Sequence, residues 1–290
     1  EDEVLIPSPY WVSYPDIVYL TGAKPVVIRT RVGDGFKLQP AQLEAAITPR
    51  TRAIIISYPS NPAGVCYSRR ELEELAAVIL RKGIMIISDD IYEKIIYDDQ
   101  PFFTLASLSD ELKRISIVIN GVSKSYSMTG WRIGYAAGSE EIVSAMTKYQ
   151  SQNTSNPTSI AQKAAVEALN GPQEGVGVMA REFQKRRDLI VGRLAAIPGV
   201  TCLKPQGAFY VFPNVGSYYE RGDRFEICPH KVIRNSAEMA TYLLDEANVA
   251  LVPGGDFGHD DHIRISYATS MEQIEKGVER IRLALLKLKC

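Results

Sequence analysis

Short apolar runs rich in β-branched residues alternate with helical periodicity through the first half of this chain. VVIRT (26–30), AIIIS (53–57), IMIIS (84–88) and ISIVI (115–119) are bounded by turn residues and predict strands. Residues 69–82 place Leu and Ala at three- to four-residue spacing, and Gly83 follows, which predicts a helix with a glycine stop. Strands apolar on both faces, joined by helical crossovers, predict an α/β fold with a mostly parallel sheet covered by helices.

The second half reads differently. Charged and apolar residues alternate at helical period over 175–197, predicting a partly exposed bridging helix. VTCLK, AFYVF, VALVP and HIRISYA then predict short strands, with helices near 235–247 and 270–289. The expected division is a large domain over 1–180 and a smaller α+β domain over 181–290. The polar stretch 214–235 reads as an inserted loop.

Composition removes several classes of function. A formal net charge of −1 over 290 residues gives no electrostatic case for nucleic acid or an anionic membrane. No apolar run approaches the roughly 20 residues of a membrane helix. Cys66, Cys202, Cys228 and Cys290 are scattered, the pattern of reduced thiols in a cytosolic protein. The acidic start and Lys185-Arg186-Arg187 read as solvated faces. His259-Asp260-Asp261-His262 has metal-like letters but too few further ligands, so it reads as a surface loop. Gly254-Gly255 reads as a turn with a hinge role.

Chemistry concentrates where the predicted parallel strands end, the usual position of ligands in such sheets. Asn61 follows AIIIS, Asp89 follows IMIIS and Lys124 follows ISIVI. In GVSKSYSMTGWRIG (121–134), Lys124 sits among Ser123, Ser125 and Ser127, with Arg132 framed by Gly130 and Gly134. A lone lysine suits condensation with an aldehyde. Short hydroxyls and a forked guanidinium suit a phosphate. Asp89 at the mouth of an apolar strand needs a cationic partner; the alternative is that Asp89 and Asp90 cap a following helix.

At all its defining positions this segment resembles the pyridoxal-phosphate lysine signature of class I aminotransferases, the aspartate aminotransferase-like fold type I enzymes. The resemblance implies that Lys124 holds the cofactor and carries protons, and that Ser123 and Arg132 take its phosphate. It implies that Asp89 meets the pyridine nitrogen and that Tyr92 and Asn61 meet the ring oxygen. Trp11, in SPYWVSYP, would stack on the ring and reach the substrate, with Tyr14 beside Asp89. Arg264, in HIRISYA, would grip the substrate α-carboxylate. Ser155, in TSNPTS, would reach the phosphate of a second subunit, implying a homodimer with shared sites. Substrates would be an amino acid such as aspartate or an aromatic one, and a 2-oxo acid such as 2-oxoglutarate.

Two departures qualify the resemblance. QSQNTSN (150–156) lacks the Arg that some aspartate aminotransferases carry before the serine, leaving dicarboxylate specificity open. The family also carries roughly a hundred residues and a glycine-rich phosphate loop before the point where this chain opens, so the chain reads as an N-terminally shortened enzyme. Rival readings are a prephenate or alanine aminotransferase, a C–S β-lyase on the same scaffold, and a non-catalytic fragment.

Overall fold

A computed structural model describes residues 1–219 and 232–288. The first half alternates β1 (Glu3–Ser8), α1 (Ser13–Leu20), β2 (Lys24–Arg29), α2 (Pro40–Ala46), β3 (Thr51–Ser57), α3 (Arg69–Lys82), β4 (Met85–Asp89), α4 (Asp110–Arg114), β5 (Ser116–Gly121) and β6 (Gly134–Ala137). Helices α5 (Glu140–Asn153), α6 (Ser159–Asn170) and α7 (Glu174–Ala195) follow. The remainder holds β7 (Tyr210–Val211), α8 (Ser236–Ala247), β8 (Val252–Pro253), β9 (Ile263–Ser266) and α9 (Met271–Leu286).

Six strands form one sheet in the order β2-β1-β3-β4-β5-β6. All its pairings are parallel except β5 with β6. The fold class expected from the apolar runs is therefore the one observed. Helix α3 starts on a capping box between Ser68 and Glu71 and ends on Gly83, whose φ of 68° suits a residue without Cβ. Leu72, Leu75, Ala76 and Ile79 of α3 pack with Ile54, Ile56 and Ile86 of the sheet. The close β5–β6 pairing depends on Gly121, where a Cβ would lie 2.9 Å from the Ile133 carbonyl oxygen.

A second sheet, antiparallel and ordered β7-β9-β8, packs with α7, α8 and α9. Its core also takes in Tyr92, Ile95 and Tyr97 from the segment after β4. The expected boundary at 180/181 falls inside α7, which runs on without a break. No strand forms over 200–204; the chain makes a single bridge there, Thr201 with Asn214. Gln206 and Gly207 then donate their N–H groups to the Gly64 carbonyl, turning the backbone toward the large sheet. Of the expected loop over 214–235, residues 220–231 lie outside the described residues, as do Cys228 and Cys290. Cys66 and Cys202 are free thiols, and burial pushes each up to about 12. No helix among the described residues is long and apolar enough to cross a membrane.

Each of three polar segments expected at the surface buries one residue: Glu3, Arg187 and His262. Glu3 accepts from Arg50 at 2.9 Å and from Thr48 at 2.5 Å. Arg187 is fully buried, with Asp98 meeting its fork at 2.7 and 2.8 Å and the Pro205 carbonyl at 2.9 Å. A local pattern cannot reveal such partners, because Asp98 is 89 residues away. The imidazoles of His259 and His262 lie in an aromatic nest with Phe36 and Phe212, and His262 stacks on Phe212 at 4.8 Å. Gly254 starts a short 3-10 turn pressed so close to the carbonyls of His259 and His262 that no Cβ fits.

Burial holds both imidazoles down at about 4, so they are neutral in the folded chain while an unfolded chain protonates them near 6.5. The unfolded state then binds more protons between those values, and stability falls as pH drops from about 6.5 to about 4. Asp90, pushed up to about 6 by burial, contributes with the opposite sign. His262→Phe isolates the imidazole effect. Urea unfolding at pH 7 and pH 4.5 is expected to show a smaller acid-induced loss in this variant than in the parent, by on the order of 2 kcal/mol.

Candidate active site

Parallel register brings three strand ends level. Ser57 is paired with Asp89, and Asp89 with Ile119. These residues form one wall of a crevice of about 360 Å³. Loops leaving the same strands add Asn61, Tyr92, Ser123, Lys124, Thr129 and Arg132. Trp11 and Tyr14 enter from the start of α1, and Tyr210 and Arg264 from the smaller sheet.

Asp89 is the only carboxylate among the described residues lining this crevice. Tyr14 donates to its Oδ2 at 2.5 Å, and the Ile91 N–H to its Oδ1 at 3.2 Å. Burial pushes the Asp89 carboxyl above its ordinary range, against the pull of those two donors and of the Lys124 charge. Tyr14, buried against this carboxylate, is held well above the usual phenol range. Asp90 points to different neighbours and accepts from Ser88 Oγ at 2.6 Å. Residues 91–94 form turns and no helix, so neither aspartate is a helix cap.

Lys124 is half-buried, with its ammonium 5.8 Å from the Phe209 ring centre. Burial, reinforced by the charges of Arg132 and Arg264, holds its amine below the ordinary lysine range. Arg132 sits in left-handed backbone at φ 57°, and its hydrogen bond is to the Thr129 carbonyl at 3.0 Å. Ser123 lines the crevice. Ser125 is buried, its hydroxyl without a partner among the described residues, and Ser127 turns away to the Met179 sulfur.

Arg264 lies between two aromatic faces, 4.6 Å from the Tyr210 ring centre and 5.0 Å from that of Phe257. Its Nη1 donates to Asn61 Oδ1 at 3.1 Å, while its buried Nε has no partner among the described residues. Tyr92 is buried with its hydroxyl 2.9 Å from that of Tyr210. Trp11 stands partly exposed at the rim, edge-on to Tyr14 at 5.4 Å. Ser155 is not among the crevice residues; it occupies an exposed turn after α5 at φ 62°.

Tyr210 and Ser57 are site residues that sequence reasoning missed. Ser57 ends AIIIS, where strand-end logic points to it. Tyr210 lies in the aromatic run AFYVF, which reads as core, and nothing local shows that β9 will bring Arg264 over its ring.

Residues 1–281 match the family described as aminotransferase class I and II. The chain is 52% identical over 280 residues to the aspartate aminotransferase of Geobacillus stearothermophilus, covering 97% of this chain and 69% of that protein. It is 49% identical over 281 residues to the probable aspartate/prephenate aminotransferase of Rickettsia conorii, covering 97% and 69%. The structure of the aspartate aminotransferase from Rhizobium meliloti superposes with a TM-score of 0.93 at 46% identity, covering 99% of this chain and 71% of that one.

The short bond from Tyr14 is the main force opposing burial at Asp89. A hydrogen bond to a charged group contributes about 1.5–3 kcal/mol, so Tyr14→Phe is expected to raise the Asp89 titration by roughly one to two pH units. Carboxyl-carbon NMR on the two proteins checks this, and an unmoved resonance contradicts it.

Proposed function

The chain belongs to the class I and II aminotransferase family, and on that footing we propose that it moves an amino group from aspartate or a similar amino acid to a 2-oxo acid such as 2-oxoglutarate at the Lys124 crevice. One observation carries the reading. Lys124, Arg132 and Arg264 share a crevice with a single carboxylate, so their positive charge is largely uncompensated. Such a site suits a ligand set bearing a phosphate and a carboxylate, with a protonated ring nitrogen for Asp89.

Pyridoxal phosphate fits this donor set: when bound, it supplies an aldehyde for amines and a pyridine ring that takes up the electron pair released at the substrate Cα. Arg132 and Ser123 would hold its phosphate. Asp89, whose carboxylate accepts from Tyr14 and the Ile91 N–H, would pair with the ring nitrogen and keep it protonated. Tyr92 and Asn61 would face the ring oxygen, and Trp11 would cover the ring. Arg264 would grip the α-carboxylate with the nitrogen that has no protein partner.

The proton steps then fall to Lys124. Its amine, held below the ordinary lysine range by burial and two guanidinium neighbours, reaches the neutral form more readily than an exposed lysine. A neutral Nζ can take the proton from the substrate Cα and return it one position along. Covering of Arg264 by two rings excludes water from the carboxylate side and strengthens the grip.

A homodimer with shared sites belongs to this reading. Helix α5 spans 14 residues without burying one, and it exposes Val143, Met146 and Tyr149. Trp131 and Ile160, both exposed, line a groove with Gly130 beside the Lys124 loop. A surface of this kind is suited to a second copy, and Ser155 lies at the end of the same helix. The smaller unit carrying Arg264 would close over bound substrate.

Titration of the purified chain with pyridoxal phosphate is expected to give a visible absorbance band that Lys124→Ala abolishes; an identical band in that variant defeats the reading. Aspartate and prephenate, assayed against 2-oxoglutarate, separate the two donors named for the relatives. Sedimentation analysis is expected to show a dimer that Tyr149→Glu together with Ile160→Glu weakens at least tenfold.

A further inference from the structure

Tyr210 links the small sheet to the segment that follows β4. Antiparallel register pairs Tyr210 with Ser266 and Val211 with Ile265, so Tyr210 stands diagonal to Arg264 on the same face. That places its ring 4.6 Å under the Arg264 guanidinium. Its hydroxyl reaches away from the small sheet to the Tyr92 hydroxyl, at 2.9 Å. Both phenols are buried, and both line the crevice.

Either hydroxyl can donate in this pair, and the surroundings choose between them. A cation over the face of the Tyr210 ring draws electron density from the phenol and makes its O–H the better donor. Tyr92 then accepts from Tyr210, and its own proton is left to point into the crevice. We propose that Tyr210 is a positioning residue that orients the Tyr92 proton through its hydroxyl and holds Arg264 on its ring, so that one side chain sets both the cofactor-side donor and the substrate-side cation. This rests on the reading of the crevice given above.

The two roles separate chemically. Tyr210→Phe keeps the ring and removes the hydroxyl, whereas Tyr210→Leu removes both. A donor aimed at an oxygen beside the cofactor-bound nitrogen of Lys124 makes that nitrogen less basic. Loss of the polarising hydroxyl weakens the donor, so the nitrogen holds its proton to higher pH. The charged and titratable groups lining the crevice with Lys124 are Tyr14, Asp89, Tyr92, Arg132, Tyr210 and Arg264, and each substitution replaces Tyr210 while leaving the others in the sequence.

The experiment uses the pyridoxal-phosphate-loaded protein and two readouts. In a pH titration of the visible band, Tyr210→Phe is expected to move the midpoint upward by about 0.5–1 unit, the equivalent of one hydrogen bond. Succinate, an unreactive dicarboxylate that perturbs the same band, is expected to bind Tyr210→Phe within twofold of the parent and Tyr210→Leu at least fivefold more weakly. A normal band in the parent with an unmoved midpoint in Tyr210→Phe overturns the proposal, as does equal succinate binding by both variants. Should Tyr210→Leu fail to fold, the Tyr210→Phe midpoint alone decides. Absence of any band in the parent overturns the reading of the crevice and this inference with it.

Discussion

Parallel register across β3, β4 and β5 is the constraint on which the site depends. Pairing Ser57 with Asp89 and Asp89 with Ile119 makes three strands finish at one level. Each following loop then starts from the same line and can deliver a side chain into one space. A one-residue slip of β4 would send Asp89 to the opposite face, because side chains alternate along a strand. The apolar faces of Ile54, Ile56 and Ile86 against α3 oppose such a slip, so the core that stabilises the sheet also aims the carboxylate.

Electrostatic design inside the crevice follows from what surrounds each charge. Asp89 and Lys124 are both pushed toward their neutral forms by burial. Two donors resist this at Asp89, while two guanidinium groups add to it at Lys124. The donors at Asp89 thereby limit the cost of its anion, while burial and the guanidinium groups around Lys124 ease loss of its proton, the bias that proton transfer at Cα requires.

Much of this was legible in the sequence because its causes are local. Residues 69–82 carry their own start and stop signals, and each of the four apolar runs coincides to within a residue with part of a parallel-paired strand. Asn61, Asp89 and Lys124 stand out because strand ends in such sheets face ligands. What stayed hidden has remote causes. Glu3, Arg187 and His262 look solvated until Arg50, Asp98 and Phe212 arrive from far along the chain. Tyr210 looks like core until β9 lays an arginine over it. The 200–204 run has strand composition but gains only a single bridge.

Residues 92–97 leave the large sheet directly after Asp89, yet Tyr92, Ile95 and Tyr97 are packed into the core of the other sheet. Arg187 fastens the far end of that segment by clasping Asp98. The crevice floor is thus a strap sewn into both halves of the molecule. Loosening of the carboxyl-terminal third would slacken the strap at Tyr92, so structural integrity there and geometry beside Asp89 are governed by a single cooperative unit.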